Sequence, residues 1–468
     1  MNDWTIMVYI SADDVLANFA VESLKQLKRA AGKGIVAVAQ FDANRQRNAR
    51  QFAFDGSGRE SSSIETDKVG SIPGPVNMTA AKTLTKFVNF ATKKYPAKHY
   101  GLMLWGHGPE LLFDDEVPRK TAASSRRYFT ANSLRLALEK TKLVQNQSRK
   151  FGPRLDIIGI DACSMSLVEV ASELEGCASY LIASQDEVPD ASFPYDQLIN
   201  RSRPLAGNAA GISRIVPKVY KEAFQNYIAT LANGQRGITL SSLNLKKIGT
   251  IKAPLRQLAS ALLKSSTDQV LRKQILHARS RSHDFEFGLF VDLFDFCKQL
   301  HSARHGNREL KVACENVRDA IEGPKSKCVI ANQKNGKNSD RCHGLSIYFP
   351  YRNSNPTEDA EIFRKNGTNH PSKSRINRIL DLEEDFGALK TFGKTRWREF
   401  IQHGWSLILA KEVPNQLDEH YSAQQCAQNL MLGRAKRKPR KQGVPPNRIG
   451  KAGRIHVLPQ RGDERRAG

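Results

Sequence analysis

Two residues with the chemistry of a nucleophilic enzyme, a histidine and a cysteine, stand at the ends of apolar segments of the chain. His107 lies between two glycines in the run YGLMLWGHG, and Cys163 ends the run LDIIGIDAC. An imidazole next to a thiol accepts the thiol proton and activates the sulfur as a nucleophile. A histidine in a glycine turn and a small buried cysteine are the plain structural alternatives. This pair is the first candidate for a catalytic centre.

The residues around Cys163 strengthen this hypothesis. A helical pattern through Leu167, Val168 and Leu174 follows the cysteine. The pattern places the thiol at the start of a predicted helix, where the helix dipole favours thiolate. Asp161 precedes Cys163 by two positions, so on an extended strand both side chains point the same way. An acidic group there suits a cationic substrate side chain, whereas a carboxylate that accepts backbone N–H bonds at a helix start is the structural alternative.

The elements that must position these residues are short, nearly apolar runs separated by amphipathic helical stretches. This alternation predicts a mostly parallel sheet covered by helices on both faces. The five runs span residues 5–12, 34–42, 100–108, 155–163 and 180–187, and the clearest helical pattern spans residues 78–95. Because functional groups collect beyond the carboxyl ends of parallel strands, His107 and Cys163 are expected at one edge of the sheet.

The second half of the chain predicts a further, smaller region. Residues 237–245 and 342–350 have strand patterns, and an amphipathic pattern surrounds Trp397, Phe400 and Trp405. We therefore predict a catalytic α/β domain at residues 1–235 and a C-terminal α/β region at 236–412 packed on it. Residues 413–468 are predicted to be a basic, disordered tail, because their composition cannot support a core.

A large part of the net charge of +25 is concentrated in the last tenth of the chain, within this tail. Residues 433–468 contain 12 Lys and Arg against two acidic residues, about +10 of the total. The tail has few aromatic side chains for base stacking and no nucleic-acid-reading module, so specific recognition is not predicted. Non-specific binding to nucleic acid or to an acidic partner stays open, with a solvated appendage as the alternative.

Several protein classes are excluded by what the sequence lacks. The seven cysteines are widely spaced with no C-x-x-C, so neither a disulfide framework nor a metal site is predicted. There is no G-x-S-x-G elbow of a serine hydrolase, no G-x-G-x-x-G after the first strand, and no apolar stretch long enough to span a bilayer. The first residues show no export signal pattern, which predicts a cytoplasmic protein.

Several motifs together resemble the clostripain family of cysteine peptidases, which shares a structural clan with caspases, legumains and gingipains. The matching segments are WTIMVYISADD, KKYPAKHYGLMLWGHG, IGIDACSMSLVEVASEL, IASQDEVPDASFPYDQLI and GLSIYFP. They extend over about 350 to 400 residues. The resemblance implies a caspase-like three-layer α/β/α sandwich and an endopeptidase that acts on peptides or proteins with basic residues.

The resemblance also implies roles for individual residues. His107 and Cys163 match the catalytic dyad, and Asp161 matches the aspartate of the pocket that accepts Arg or Lys before the scissile bond. We expect the backbone N–H groups of Gly108 and Cys163 to bind the oxyanion. Asp186 and Glu187 are expected as further substrate contacts, with a solvated loop as the alternative.

Activation and cofactors are open at this stage. Clan members are often activated by cleavage between the histidine and cysteine regions, and here RKTAASSRR makes Arg126 and Arg127 the candidate self-cleavage sites. No cofactor is predicted. Some relatives need calcium, although no EF-hand-like loop is present. Unlike most family members, the chain continues after Gly108 with PELLFDDE, which predicts an altered loop beside the site.

Two alternatives complete the interpretation. His343 also precedes a glycine, but it comes before its predicted strand instead of after one, so it ranks behind His107. At the level of function, the main alternative is a catalytically weak caspase-like interaction protein that binds nucleic acid or an acidic partner through its basic tail.

Overall fold

The structure, a computed structural model, describes most of the chain up to residue 412. The described residues are 1–12, 16–42, 48–58, 60–74, 76–106, 130–145, 154–225, 237–285, 289–304, 306–324, 326–336, 339–350, 389 and 392–412. His107, Gly108, Arg126, Arg127 and the basic tail lie outside them.

The strands of the described residues fall into two sheets. The bounds of the strands are β1 (Asn2–Ser11), β2 (Ile35–Asp42), β3 (Ala49–Phe54), β4 (Lys68–Ile72), β5 (Ala97–Trp105), β6 (Arg154–Asp161), β7 (Tyr180–Ala183), β8 (Ile238–Asn244), β9 (Asp284–Phe285), β10 (Phe290–Asp292), β11 (Val329–Asn335) and β12 (Ser346–Tyr348). The larger sheet has the order β11-β8-β7-β6-β5-β1-β2-β3-β4, and the smaller has the order β12-β10-β9.

Helices connect the strands. The α-helices are α1 (Ala17–Ala30), α2 (Ala81–Lys94), α3 (Ala131–Glu139), α4 (Lys142–Gln145), α5 (Val168–Glu173), α6 (Tyr195–Ser202), α7 (Ala209–Ala223), α8 (Leu245–Ile248), α9 (Lys252–Ser265), α10 (Gln269–Arg281), α11 (Leu293–Ser302), α12 (Arg308–Glu322), α13 (Trp397–Glu399) and α14 (Ser406–Glu412). Short 3-10 helices span Glu65–Asp67, Arg203–Leu205, Gly249–Ile251, Ser339–Arg341 and Phe392–Thr395, and a π-helix spans Phe400–Trp405. In the described part of the chain, no helix has the length and apolar character needed to cross a bilayer.

The centre of the larger sheet consists of the five strands predicted from the apolar runs. The neighbouring pairs β2–β1, β1–β5, β5–β6 and β6–β7 are all parallel. Their side chains alternate between two apolar cores, as the two-residue period of a strand requires: on β5, Leu102 and Leu104 belong to one core and Met103 and Trp105 to the other. Strands that are buried on both faces need apolar side chains at most positions, which is why their sequences are nearly continuous apolar runs.

Helices cover both faces of this sheet, so the predicted three-layer α/β/α architecture is confirmed. Helices α1, α6 and α7 pack on one face, and α2, α3, α5 and α9 to α12 contribute to the core on the other. On α2, the stripe of Leu84, Phe87, Val88 and Ala91 is buried, which is the amphipathic pattern of a helix resting on a sheet. Its bounds, Ala81–Lys94, lie inside the predicted range of 78–95.

Antiparallel strands complete the sheet on both sides. Strands β3 and β4 extend it beyond β2, while β8 and β11 extend it beyond β7. Because β8 and β11 come from the region predicted at 236–412, the boundary predicted after residue 235 lies between strands of one sheet. The two predicted regions therefore share a continuous hydrogen-bonded ladder.

The smaller antiparallel sheet lies under an aromatic cluster formed by the end of the described chain. The Phe349 ring lies about 5 Å from the rings of Trp397 and Trp405, with centroid distances of 5.3 and 4.7 Å. The indole N–H of Trp397 donates to the carbonyl of Tyr348 at 2.7 Å, and that of Trp405 to the carbonyl of Pro350 at 2.6 Å. These bonds satisfy two polar groups that burial would otherwise leave unpaired.

Candidate active site

The ends of β5 and β6 lie side by side at the carboxyl edge of the parallel strands. Trp105, the last residue of β5, pairs with Asp161, the last residue of β6. The following residue, Gly106, donates its backbone N–H to the carbonyl of Asp161 at 3.3 Å. The chain segments that lead into His107 and Cys163 are thus adjacent, although His107 itself lies outside the described residues.

Cys163 lies in a turn, residues 163–166, which we call the cysteine turn. Its side chain is partly buried, and its Sγ accepts the backbone N–H of Val188 at 3.3 Å. Ser164 has a φ of 56°, in the left-handed region that is unfavourable for a residue with a Cβ atom. An N–H donor directed at a sulfur stabilises a negatively charged acceptor more than a neutral one.

The predicted helix start at Cys163 is wrong. Helix α5 begins at Val168, five residues later, and is only six residues long. The cysteine turn and Leu167 instead connect the strand end to the helix. The helix dipole therefore does not act on the sulfur from the first turn of α5, because its effect falls off within that turn. The backbone N–H of Val188, in the loop that follows β7, donates to the sulfur.

A loop after β7 holds the cysteine turn from one side. This loop, Ser184 to Val188, is called the 184–188 segment. The N–H of Ser164 donates to the carbonyl of Asp186 at 3.1 Å, and the N–H of Ser166 donates to the carbonyl of Ser184 at 2.7 Å. The bond from the N–H of Val188 to the sulfur joins the same two segments. The backbone geometry of the cysteine turn is thus set by contacts with the neighbouring strand end.

Asp161 is buried and its carboxylate is already partly engaged. Its Oδ2 accepts the hydroxyls of Ser192 and Tyr195, the latter at 2.8 Å, and the N–H of Phe193 at 3.0 Å. Burial raises the pKa of Asp161 to about 6, and the three hydrogen bonds oppose that rise. Its Oδ1 has no hydrogen-bond partner among the described residues.

Ser192 joins the two strand ends through its hydroxyl. It donates to Asp161 and accepts the indole N–H of Trp105, which lies two residues before His107. Its own backbone is in the left-handed region, with a φ of 68°. Sequence reasoning missed both Ser192 and Tyr195, because contacts across 31 and 34 residues leave no periodic signal in the chain.

Asp186 and Glu187 follow β7 at the same edge of the sheet as Cys163. The carbonyl of Asp186 is bonded to the cysteine turn, and its carboxylate accepts the N–H of Glu187 at 2.8 Å. Glu187 is exposed. The structure brings both residues near Cys163, and their role as substrate contacts stays a prediction.

His343 lies in a different environment from a catalytic base at a strand end. Its Nδ1 is 2.9 Å from an oxygen of Glu322, and its ring stacks on Phe294 at a centroid distance of 4.1 Å. Its backbone N–H donates to Asp292 at 2.6 Å. In the part of the chain that the structure describes, no group of three or more His, Cys, Asp or Glu side chains could hold a metal ion.

Comparison with known proteins shows which family the chain belongs to. The family model of the clostripain family, peptidase C11, matches residues 8–405. No curated protein sequence matches the chain significantly.

Solved structures of C11 proteases share the fold. An inactive zymogen C11 protease from Parabacteroides distasonis is similar with a TM-score of 0.56 and 19% identity, over 84% of this chain and 98% of that one. A secreted C11 cysteine protease from Bacteroides thetaiotaomicron, solved with an irreversible peptide inhibitor, is similar with a TM-score of 0.55 and 17% identity, over 82% of this chain and all of that one. The chain belongs to the clostripain family and is a cysteine-type peptidase.

Proposed function

We propose that the protein is an endopeptidase that cleaves after Arg or Lys, with Cys163 as nucleophile and His107 as its proton partner. The observation that carries this proposal is the placement of Cys163: a half-buried thiol at a strand end, with the N–H of Val188 directed at its sulfur. The buried carboxyl of Asp161, two residues earlier, supports the preference for a basic side chain.

The reaction follows from these roles. The Cys163 thiolate attacks the carbonyl carbon of the basic residue, and the N–H groups of Gly108 and Cys163 stabilise the oxyanion. The C–N bond breaks as His107 protonates the departing amine, which leaves a thioester on Cys163. Water then attacks the thioester while His107 accepts its proton, and collapse releases the carboxylic acid and the Cys163 thiolate.

The specificity follows from charge. A carboxylate in a buried site attracts a guanidinium or ammonium more strongly than it would in water, because the local dielectric is low. Of the two carboxylate oxygens of Asp161, Oδ2 is hydrogen-bonded and Oδ1 has no partner among the described residues, so we infer that Oδ1 faces the substrate cation.

The test is cleavage of matched fluorogenic peptides with Arg, Lys, Asp or Asn before the scissile bond. Wild-type protein is expected to cleave the Arg and Lys peptides, and Cys163→Ala to cleave none. Cys177→Ala is the matched control: Cys177 is buried and burial raises its pKa to about 12, so its loss leaves the chemistry intact. Undiminished cleavage by Cys163→Ala contradicts the proposal.

Activation by self-cleavage at Arg126 or Arg127 is part of this proposal. One similar solved structure is described as an inactive zymogen, which supports an activation step in the family. Intact mass spectrometry should find two fragments in purified wild-type protein and a single full-length species for Cys163→Ala. Full-length wild-type protein with full activity excludes the requirement.

A further inference from the structure

The side chain of Gln185, in the middle of the 184–188 segment, reaches across to the C-terminal region. Gln185 is completely buried. Its Nε2 donates to Asp292 and to Ser346, both at 2.9 Å, and its Oε1 accepts the N–H of Gly344 at 2.6 Å. Both ends of the amide are therefore bonded to residues that follow it by 107 to 161 positions.

Asp292 is the anchor on the other side of this contact. It is completely buried at the end of β10 and caps helix α11, since its Oδ1 accepts the N–H of Asp295 at 2.7 Å. Its Oδ2 accepts Gln185 and also the N–H of His343 at 2.6 Å. The carboxylate thus holds a strand end, a helix start and the 184–188 segment in one arrangement.

The cysteine turn is bonded directly to the same part of the C-terminal region. The hydroxyl of Ser166 donates to the carbonyl of Gly344 at 2.7 Å, and the N–H of Ser346 donates to the carbonyl of Ser166 at 2.8 Å. Residues 344–346 therefore contact both Gln185 and the cysteine turn. The cysteine turn is hydrogen-bonded both to the 184–188 segment and to residues 344–346, and Gln185 joins these two segments to each other.

These hydrogen bonds explain how an unfavourable backbone geometry persists beside the proposed nucleophile. Ser164 keeps a φ of 56°, although its Cβ disfavours the left-handed region. Such a conformation survives only where surrounding contacts determine it. The contacts on Ser164 and Ser166 come from the 184–188 segment and from residues 344–346, and Gln185 joins these two sets.

We propose that Gln185 and Asp292 are positioning residues for Cys163, through which the C-terminal region holds the cysteine turn in its reactive geometry. They do not touch substrate. They fix the 184–188 segment, and this segment fixes the sulfur and the backbone of the turn. The inference rests on the proposed role of Cys163 as nucleophile and adds two positioning residues to that site.

The first test compares Gln185→Ala with Gln40→Ala in the full chain. Gln40 is a matched control, because it is an equally buried glutamine of the same sheet, on β2, and its side chain contacts Met78 and Gln51. For Gln185→Ala we expect kcat on the Arg peptide to fall on the order of 10- to 100-fold, as displaced catalytic groups do, with KM within about twofold. Gln40→Ala should keep kcat even where its melting temperature falls equally.

Two further variants separate the loss of the hydrogen bonds from the cavity that Gln185→Ala leaves, and test whether Gln185 and Asp292 act together. Gln185→Met conserves volume but cannot bond Asp292, so it should lose kcat to the same extent. If Gln185 and Asp292 act as one unit, the double variant Gln185→Ala with Asp292→Asn should have about the same kcat as the less active of the two single variants. Additive losses, or kcat within about twofold of wild type for Gln185→Met, overturn the proposal.

The rate of alkylation of Cys163 by iodoacetamide tests the positioning without substrate. Loss of Gln185 should slow labelling several-fold, because the sulfur loses the fixed N–H donor of Val188. If wild-type protein cleaves no peptide, the proposed function fails, while this rate still decides the role of Gln185. Equal labelling rates in wild type, Gln185→Met and Gln40→Ala contradict the positioning role.

Discussion

The proposed role of Asp161 in substrate choice depends on the charge of its carboxyl group. Its pKa of about 6 follows from burial, so the group is largely neutral below that pH and negative above it. A neutral carboxyl has little preference for a cation. The charge that we propose to select Arg is therefore present only above about pH 6.

We predict that the ratio of kcat/KM for an Arg peptide to that for its citrulline counterpart rises with pH through about 6. Citrulline has the shape of arginine without the charge, so the pH dependence of the dyad cancels in the ratio. Steady-state rates from pH 5 to 8 measure it.

Two variants serve as controls for this ratio. Asp161→Asn should give a low ratio that does not change with pH, whereas Asp186→Asn should keep the wild-type slope. If the pH dependence of the ratio is lost in Asp186→Asn and kept in Asp161→Asn, Asp186 and not Asp161 is the carboxylate that binds the basic side chain.

The residues of the site divide into those that a sequence reveals and those that it hides. Cys163 and Asp161 were predictable because both follow an apolar run at a strand end. Gln185 and Ser192 were not, since their partners are separated from them by 31 to 161 residues. Hydrogen bonds over such separations depend on the assembled fold and have no local pattern.

At the scale of the elements, helix α5 contains a buried carboxyl group. Glu169 is completely buried, and its Oε1 accepts the N–H of Tyr348 on β12 at 2.8 Å. Burial raises its pKa from 4.5 to about 7. The folded state therefore holds the proton more tightly than the unfolded chain.

The sign of the resulting pH dependence is fixed. The contribution of Glu169 to stability is fully present below its unfolded pKa of 4.5 and is lost as the pH rises through about 7. The total loss is about 3 kcal/mol, from 1.36 kcal/mol for each pKa unit. Glu169→Gln keeps the acceptor for Tyr348 and removes the titration.

We predict that Glu169→Gln gains stability over its parent as the pH rises from 5 to 8. Both proteins should be compared in the Cys163→Ala background, so that proteolysis does not affect the thermal melts. Asp161 and Asp292, which also have raised pKa values, contribute equally to both and cancel. A difference in melting temperature that is constant with pH contradicts the prediction.

The elements also show where sequence patterns stop being informative. The five parallel strands were predicted because burial on both faces produces continuous apolar runs. Strands β4 and β11 at the sheet edges were missed, because KVGSI and VIANQKN are half-exposed and contain no such run. The start of α5 was misplaced because the helical pattern through Leu167, Val168 and Leu174 does not show at which residue the helix begins.

At the scale of the molecule, the shared sheet determines whether its parts can fold separately. We predict that residues 1–235 alone do not fold cooperatively, since β7 would lose its antiparallel partner β8 and the core would lose α9 to α12. Thermal unfolding followed by circular dichroism, with residues 1–432 as control, measures this. A cooperative transition in the fragment would establish an independent domain.

The basic tail makes a separate prediction. Deletion of residues 433–468 should leave kcat/KM on an Arg peptide within about twofold, and should abolish any retention of the protein on DNA at low salt. Retention by phosphate contacts must fall steeply between two salt concentrations. Retention that persists without the tail would place the nucleic-acid surface on the folded part of the chain.

The order of the strands along the chain also has a consequence for protein synthesis. Cys163 leaves the ribosome long before Gly344 and Ser346, the residues that contact both Gln185 and the cysteine turn. On the proposed roles, a nascent chain that ends before residue 344 has Cys163 without the contacts that position it. We therefore expect proteolytic activity only when translation of the folded region is nearly complete.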